Sequence, residues 1–295
     1  MAHSHRQELS RLLLETAPIK TPGVYDGLSA ALVEQAGFNC AFLSGGALAF
    51  SRFGRPDMGL VCASELAETV GIIRDRIALP LIVDMDTGFG NALNVQRTVR
   101  DLERAGASAL QLEDQVSPKR CGHMQGKSVI SAEQMQGKIR AALDAREYSD
   151  TLIIARTDAL GANGFEDAMD RAKCYLDAGA DALFIEAPQN LAQMEAIGRE
   201  FGTKVPLVHN MVEGGKNPAT DYDSLQQLAV KIALYPVALL HAFVPGAQRV
   251  LDEIRKNGNT DKLSEQMFDL DDMNELLGAG ELIALGDKYS GGASS

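Results

Sequence analysis

Leu152-Ile153-Ile154-Ala155-Arg156-Thr157-Asp158 is a short apolar run that closes on an arginine, a threonine and an aspartate. An amphipathic stretch over 165–178 follows, then the turn Ala178-Gly179-Ala180, then a second apolar run over 182–186 that closes on Glu186. Run, helix, glycine turn and run make one β-α-β unit. Working outward, similar runs at 23–25, 40–43, 81–84, 109–113, 206–210 and 231–235 read as further strands. Helical patterns over 64–76, 95–105, 132–146 and 191–201 alternate with them. Eight strands alternating with helices in this length predict an α/β fold, a (β/α)8 TIM barrel. A doubly wound open sheet competes with it, but no Gly-x-Gly-x-x-Gly follows the first strand.

No linker, repeat or low-complexity tract divides the chain, so 1–295 reads as one barrel domain with a C-terminal helical extension. That extension holds a helix over 237–256, interrupted at Pro245-Gly246, an acidic stretch and a disordered Gly-Ser tail over 291–295. Met1 to Arg6 reads as a frayed terminus. The formal charge is −12, from 40 acidic against 28 basic residues. It argues against nucleic acid or an anionic membrane as partner. A small anionic substrate stays compatible, because Lys119, Arg120 and Arg156 can still bind one. Neither a signal peptide nor a membrane span is visible, and Cys40, Cys62, Cys121 and Cys174 lie far apart without a CxxC pair. Reduced thiols in the cytoplasm follow, with Cys40, Cys62 and Cys174 as inert core thiols. His209 and His241 read as packing groups.

The polar residues repeat at one place in the pattern. The third run ends in Asp84-Met85-Asp86, the fourth in Glu113-Asp114, the fifth in Arg156-Thr157-Asp158, the sixth in Glu186 and the seventh in His209-Asn210. In a parallel barrel these ends converge on one face, where active sites sit. Asp84 and Asp86 are two residues apart, so both side chains leave the same side of an extended strand end. With Glu113 they form an all-oxygen set that suits Mg²⁺, or Mn²⁺, over Zn²⁺; the other use of such a pair is to cap the next helix. Ser44-Gly45-Gly46 brings bare backbone N–H groups that can approach a carboxylate, with Arg156 opposite, or else makes a tight turn. Lys119-Arg120-Cys121-Gly122-His123 joins a thiol, two cations, an imidazole and a hinge glycine. Neighbouring cations favour the thiolate, so Cys121 is expected to exchange protons near neutrality. The alternative is a solvated basic turn.

Together these residues resemble the isocitrate lyase/phosphoenolpyruvate mutase superfamily. The resemblance runs over 23–236 and rests on Tyr25-Asp26-Gly27-Leu28-Ser29-Ala30, Ser44-Gly45-Gly46, Pro56-Asp57-Met58-Gly59 and Asp84 to Gly90. It continues through Leu112-Glu113-Asp114-Gln115, Lys119 to His123, Ala155 to Ala159 and Asn210 to Gly215. It implies a barrel whose last helix is exchanged between subunits of a homotetramer, a dimer of dimers, and a Mg²⁺ site for a small carboxylate substrate. By this resemblance Asp84 and Asp86 hold the metal directly or through water, with Asp57 and Glu113 in support. Ser44, Gly45, Gly46, Gly122, Arg156, Glu186 and Asn210 line the substrate. Lys119 to His123 is similar to the gating loop of the lyases, in which the cysteine is the general acid and Lys119, Arg120 and His123 tune it.

The expected activity is therefore Mg²⁺-dependent C–C cleavage of a 2-hydroxy or 2-oxo dicarboxylate through an enolate. Two alternatives stand beside it: a carboxyphosphonoenolpyruvate phosphonomutase and a non-catalytic dicarboxylate-binding barrel. Arginines that read an extra carboxylate in 2-methylisocitrate lyases are replaced here by His241 and Met273, and a tyrosine before Leu-Ser-Gly-Gly is replaced by Phe42. A substituted malate or oxaloacetate thus fits better than methylisocitrate.

Overall fold

The computed structural model describes residues 4–122, 124, 126–215, 218 and 221–290; His123 and the expected tail at 291–295 lie outside them. Eight strands carry the fold: β1 Ile19–Val24, β2 Ala41–Leu43, β3 Leu81–Asp84, β4 Ala109–Glu113, β5 Leu152–Thr157, β6 Ala182–Ile185, β7 Leu207–Asn210 and β8 Val230–Tyr235. Each pairs in parallel with the next and β8 returns to β1, so the sheet closes as a (β/α)8 barrel. β1 starts four residues before the expected 23–25, pairing Ile19 with Ile232 and Pro22 with Tyr235. Pro22 cannot donate to the ladder, which disguises this strand in the sequence.

Period two sorts the strand residues into two cores. Phe42, Ile82, Ala109, Ile154, Phe184, Val208 and Ile232 fill the barrel interior. Their neighbours Leu43, Val83, Leu110, Ile153 and Leu183 face outward into a larger cluster with helix residues such as Ile73, Leu102 and Ile139. Leu9 and Leu12, from the helix His5–Leu13, join the interior cluster and plug the end where the strands begin.

Of the end expected to fray, Met1 to His3 lie outside the described residues, and Ser4 to Arg6 are ordered into a helix start. Ser4 and Gln7 form a capping box, and Arg6 is buried, donating from Nε to Thr151 Oγ1 at 3.0 Å and from Nη2 to the Glu103 carbonyl at 2.8 Å. Ser4 and Gln7 have the spacing that signals a helix start, so this element was legible.

Two compact units divide the chain, one through Leu239 and one from Leu240. The second holds most of the helix Ala238–Asn257, a 3-10 turn at Asp261–Gln266 and the helices Leu270–Leu276 and Ala279–Tyr289. The helix runs unbroken through Pro245, where an interruption was expected; the proline removes only one intrahelical donor. Among the described residues no helix is long and apolar enough to cross a membrane.

Candidate active site

The alternation that places Ile82, Ala109, Ile154, Phe184 and Val208 inside the barrel also points Asp84, Glu113, Arg156, Glu186 and Asn210 inward, one step further along. All five are buried. The structure thus brings together residues that span more than 120 positions of sequence. Arg156 is the hub. Its Nε lies 2.9 Å from Asp158 Oδ2 and 3.4 Å from Glu113 Oε2, and its Nη2 lies 3.2 Å from Glu186 Oε2. Asn210 Nδ2 donates to the same Glu186 oxygen at 3.1 Å. Burial alone would weaken the guanidinium charge, but Asp158, Glu186 and Glu113 outweigh it and hold the Arg156 pKa well above its usual value.

A second group forms around β2 and β3. Ser44 caps the helix Gly45–Phe53, its Oγ accepting from the Ala47 N–H at 3.2 Å, so the serine serves the helix start. The first-turn N–H groups of Gly45 and Gly46 have no intrahelical acceptor. Both glycines are closely approached: a Cβ on Gly45 would stand 3.0 Å from Asp86 Oδ1, and one on Gly46 would stand 3.3 Å from Asp57 Oδ2, tight contacts that those carboxylates would have to give way to. Asp86 itself has φ of 49°, a left-handed conformation held by its N–H donating to Asp84 Oδ1 at 3.1 Å. Ala187, directly after Glu186, has φ of 56°. Such backbone strain, about 1–3 kcal/mol each, concentrates at functional sites.

Lys119 enters this group from the loop. Its Nζ lies 2.6 Å from Asp57 Oδ1 and 2.9 Å from Asp86 Oδ1. The ammonium expected to tune Cys121 is thus committed to carboxylates. Burial opposes the Lys119 charge, yet Asp86, Asp84, Glu113 and Asp57 together raise its pKa well above the usual value. Among the described residues the carboxylates remain in excess: Asp57, Asp84, Asp86, Glu113, Asp158 and Glu186 gather around Lys119, Lys127 and Arg156, with Lys138 adding a further charge toward Glu113. Burial pushes Asp86 up to about 7, with Asp84 and Asp57 adding to it against the pull of Lys119. Burial likewise lifts Glu113 well above the carboxylate range, and neither of its oxygens has a hydrogen-bond donor.

Among the described residues no three His, Cys, Asp or Glu side chains are set as a ready-made metal cage. Surplus buried negative charge, donor-free Glu113 oxygens and an all-oxygen set nevertheless fit Mg²⁺, which is held by one or two carboxylates plus water and substrate oxygens.

The described residues of 115–129 (115–122, 124 and 126–129) fold over the strand ends as a loop with a stapled stem. Gln115 clamps Arg120 twice, Nε2 donating to its carbonyl at 2.8 Å and Oε1 accepting from its N–H at 3.0 Å. The Val116 N–H donates to the Ser128 carbonyl at 2.8 Å, and the Cys121 N–H to the Asp57 carbonyl at 3.1 Å. Gly122 lies directly over the arginine, since a Cβ there would stand 2.4 Å from Arg156 Nη2 and 2.8 Å from Glu186 Cδ. Cys121, one residue away, is partly exposed.

The structure also shows the partners of Asp158 and Asp114, named above only as strand ends, and the roles of Lys127 and Arg171, which the sequence did not single out. Asp158 shares its carboxylate between Arg156 and Lys127, whose Nζ lies 2.7 Å from Oδ1; burial opposes its charge, but these cations hold its pKa down to about 2. Asp114 points away from the barrel axis, on the opposite face to Glu113. It accepts from Thr157 Oγ1 at 2.7 Å, Tyr175 Oη at 2.7 Å and the Asp158 N–H at 2.9 Å, bracing the end of β5. Arg171 ties this network to the loop stem through the Ile130 carbonyl at 2.7 Å. Period two across Glu113-Asp114 was the one available signal. Cys62, expected in the core, is exposed at the start of the helix Ala63–Arg76, whereas Cys40 is buried and its thiol pushed up to about 12 by burial. Phe42 belongs to the apolar layer below the site, and His209 packs on the outer face of β7.

Known proteins share this fold. The chain belongs to the phosphoenolpyruvate phosphomutase family, whose model matches residues 9–255. It is 43% identical to a 2-methylisocitrate lyase of Aeropyrum pernix, over 94% of this chain and 91% of that one. A chloroplastic carboxyvinyl-carboxyphosphonate phosphorylmutase of Arabidopsis thaliana is 42% identical, over 95% and 83%. A 2,3-dimethylmalate lyase of Eubacterium barkeri is 35% identical, over 97% and 98%. Among solved structures, an oxaloacetate acetylhydrolase in complex with 3,3-difluorooxalacetate superposes with a TM-score of 0.92 at 32% identity, covering 99% of each chain. A phosphonopyruvate hydrolase complexed with oxalate and Mg²⁺ gives 0.87 at 31% identity, over 97% and 99%. These relatives are lyases, hydrolases and mutases of the isocitrate lyase/phosphoenolpyruvate mutase superfamily.

Proposed function

We propose that this protein is a Mg²⁺-dependent lyase that cleaves a C–C bond of a small 2-hydroxy or 2-oxo dicarboxylate of the substituted malate or oxaloacetate type. The observation that carries the reading is the seating of Gly122, next to Cys121, over the Arg156–Glu186 pair, which brings a thiol-bearing loop to the central guanidinium of the barrel mouth. Asp84 and Asp86, supported by Asp57 and Glu113, would hold the cation. When bound it supplies Lewis-acid polarisation of the α-oxygen. Arg156 holds a substrate carboxylate, and the N-terminal amides at Gly45 and Gly46 offer donors to the carboxylate on which charge develops. As a proton leaves the C2 hydroxyl, or one hydroxyl of the hydrate that a 2-oxo acid forms with water, the C2–C3 bond breaks and its electron pair passes to the departing fragment as an enolate. Cys121 then protonates that carbon, which releases a carboxylic acid together with an oxo acid from the 2-hydroxy substrate, or with oxalate from the hydrated 2-oxo substrate. Glu186, held by Arg156 and Asn210, is our candidate for the group that takes the hydroxyl proton, beside a water at the cation.

The 42% identity to a phosphorylmutase favours one competing reading, rearrangement of a carboxyphosphonoenolpyruvate. His241 and Met273, in place of cations, favour a dicarboxylate over methylisocitrate, because each lost charge-assisted contact is worth about 1.5–3 kcal/mol. Incubation with Mg²⁺ and oxaloacetate, 2,3-dimethylmalate, 2-methylisocitrate or phosphonopyruvate, followed by NMR, separates these readings. Cleavage of a dicarboxylate supports the lyase; turnover of the phosphonate alone overturns it.

We take the second unit as a C-terminal extension of one barrel domain, exchanged between subunits of a cytoplasmic homotetramer. Phe243, Val244, Leu251, Phe268, Leu282 and Ile283 are each at least half exposed there, an apolar surface suited to a second copy of the chain. Light scattering of the eluting protein tests the tetramer; a monomer mass contradicts it.

A further inference from the structure

We propose that Lys127 is a positioning residue that latches the 115–129 loop closed over Arg156. The inference rests on reading that loop as the gate of the site, and is independent of the substrate. The Lys127 side chain is only 4% exposed although it lies in a surface loop. Its Nζ has two acceptors in different parts of the fold. One is Asp158 Oδ1, at 2.7 Å, just past the end of β5; the other is the carbonyl of Gly122, at the loop tip.

Gly122 has no side chain by which to be held, and none fits there because Arg156 Nη2 occupies the space. The carbonyl is therefore the handle on this part of the gate, and Lys127 grips it. The second acceptor gives the grip its meaning. Asp158 also receives Arg156, Nε at 2.9 Å and Nη2 at 3.2 Å. One ammonium thus joins the loop tip to the carboxylate that orients the central guanidinium. Opening the loop strips a cation from fully buried Asp158, so closure and the Arg156 setting are coupled. The lysine stem runs over Gly161, where a Cβ would stand 3.3 Å from Lys127 Cε. The bare face of the helix Ala159–Asn163 leaves room for the latch.

Cysteine alkylation by N-ethylmaleimide, resolved by peptide mass spectrometry, reads the latch in the whole chain without turnover. Exposed Cys62 is the internal reference for reagent access, and buried Cys40 reports general loosening. Lys127→Met should raise the Cys121 rate relative to Cys62 severalfold, less than the full loss of one charge-assisted contact because Cys121 is already partly exposed, while Cys40 stays protected. Lys127→Arg, which keeps charge and donors, should restore most of the protection. Should the methionine variant fail to fold, Lys127→Gln carries the test, with a smaller rise expected. An unchanged Cys121-to-Cys62 ratio in a folded variant overturns the proposal, and so does a Cys40 rate that rises in step with Cys121. A chain that cleaves no dicarboxylate yet shows the Cys121 effect would refute the lyase reading and leave the latch standing.

Discussion

Lys119→Met removes the ammonium that stands between two buried carboxylates. Nζ lies 2.6 Å from Asp57 Oδ1 and 2.9 Å from Asp86 Oδ1, with the lysine side chain 5% exposed. Breaking a buried ion pair by deleting one partner costs about 3–5 kcal/mol, because the other charge stays buried without compensation. Two features lower that figure here. Asp86 already titrates near 7, so a proton can replace part of the lost charge. The loop can also swing away and let water reach Asp57. We expect a loss of about 2–3 kcal/mol at about pH 8, where Asp86 is ionised, and a smaller loss at about pH 6. For a chain of this size that lowers the melting temperature by roughly 3–5 °C at the higher pH. Circular dichroism is the suitable probe, since the chain has no tryptophan. Added Mg²⁺ should stabilise the variant more than the wild type, because the cation then has no competing ammonium. A variant that melts with the wild type at both pH values and gains no more from Mg²⁺ refutes the reasoning.

Other expectations follow from the same geometry. Arg156→Lys cannot reproduce the fork that spans Asp158, Glu113 and Glu186, so kcat/KM should fall about tenfold to a hundredfold per lost charge-assisted contact, read by steady-state kinetics. Mg²⁺ affinity should rise with pH through about 7. Asp86 titrates above its ordinary value in the folded chain, so below about 7 a proton leaves as the cation binds, and calorimetry in buffers of different ionisation enthalpy should detect its release. Tyr175→Phe deletes the 2.7 Å bond to Asp114 Oδ2 and should cost about 1–2 kcal/mol of stability in thermal melts, with the remaining Thr157 and Asp158 donors keeping Asp114 paired.

What the sequence made legible follows from the barrel itself. Strands buried on both faces read as apolar runs, and the first polar residue after each run marks the mouth. Asp84, Glu113, Arg156 and Glu186 were therefore readable from position alone, without knowing what they touch. Partners were not. Lys119 meets Asp57 and Asp86 across 62 and 33 positions, and no local pattern encodes a pairing that only barrel closure creates. Lys127 sits in a loop without periodicity, so nothing distinguished it from a solvated lysine. Asp114 was counted with Glu113 as a converging carboxylate, although adjacent strand residues face opposite ways. β1 was shortened in the reading because Pro22 looks like a breaker, and a parallel strand tolerates it where the missing donor is not needed.

The central claim is that Cys121, carried on the loop, supplies the proton that completes C–C cleavage. The most direct test is Cys121→Ala, assayed with Mg²⁺ on the dicarboxylate that the wild type cleaves, alongside oxalate binding by calorimetry. The account predicts oxalate affinity close to that of the wild type and a loss of turnover of about a hundredfold or more, the contribution of a positioned general acid. Turnover near the wild-type rate, with binding intact, would contradict it.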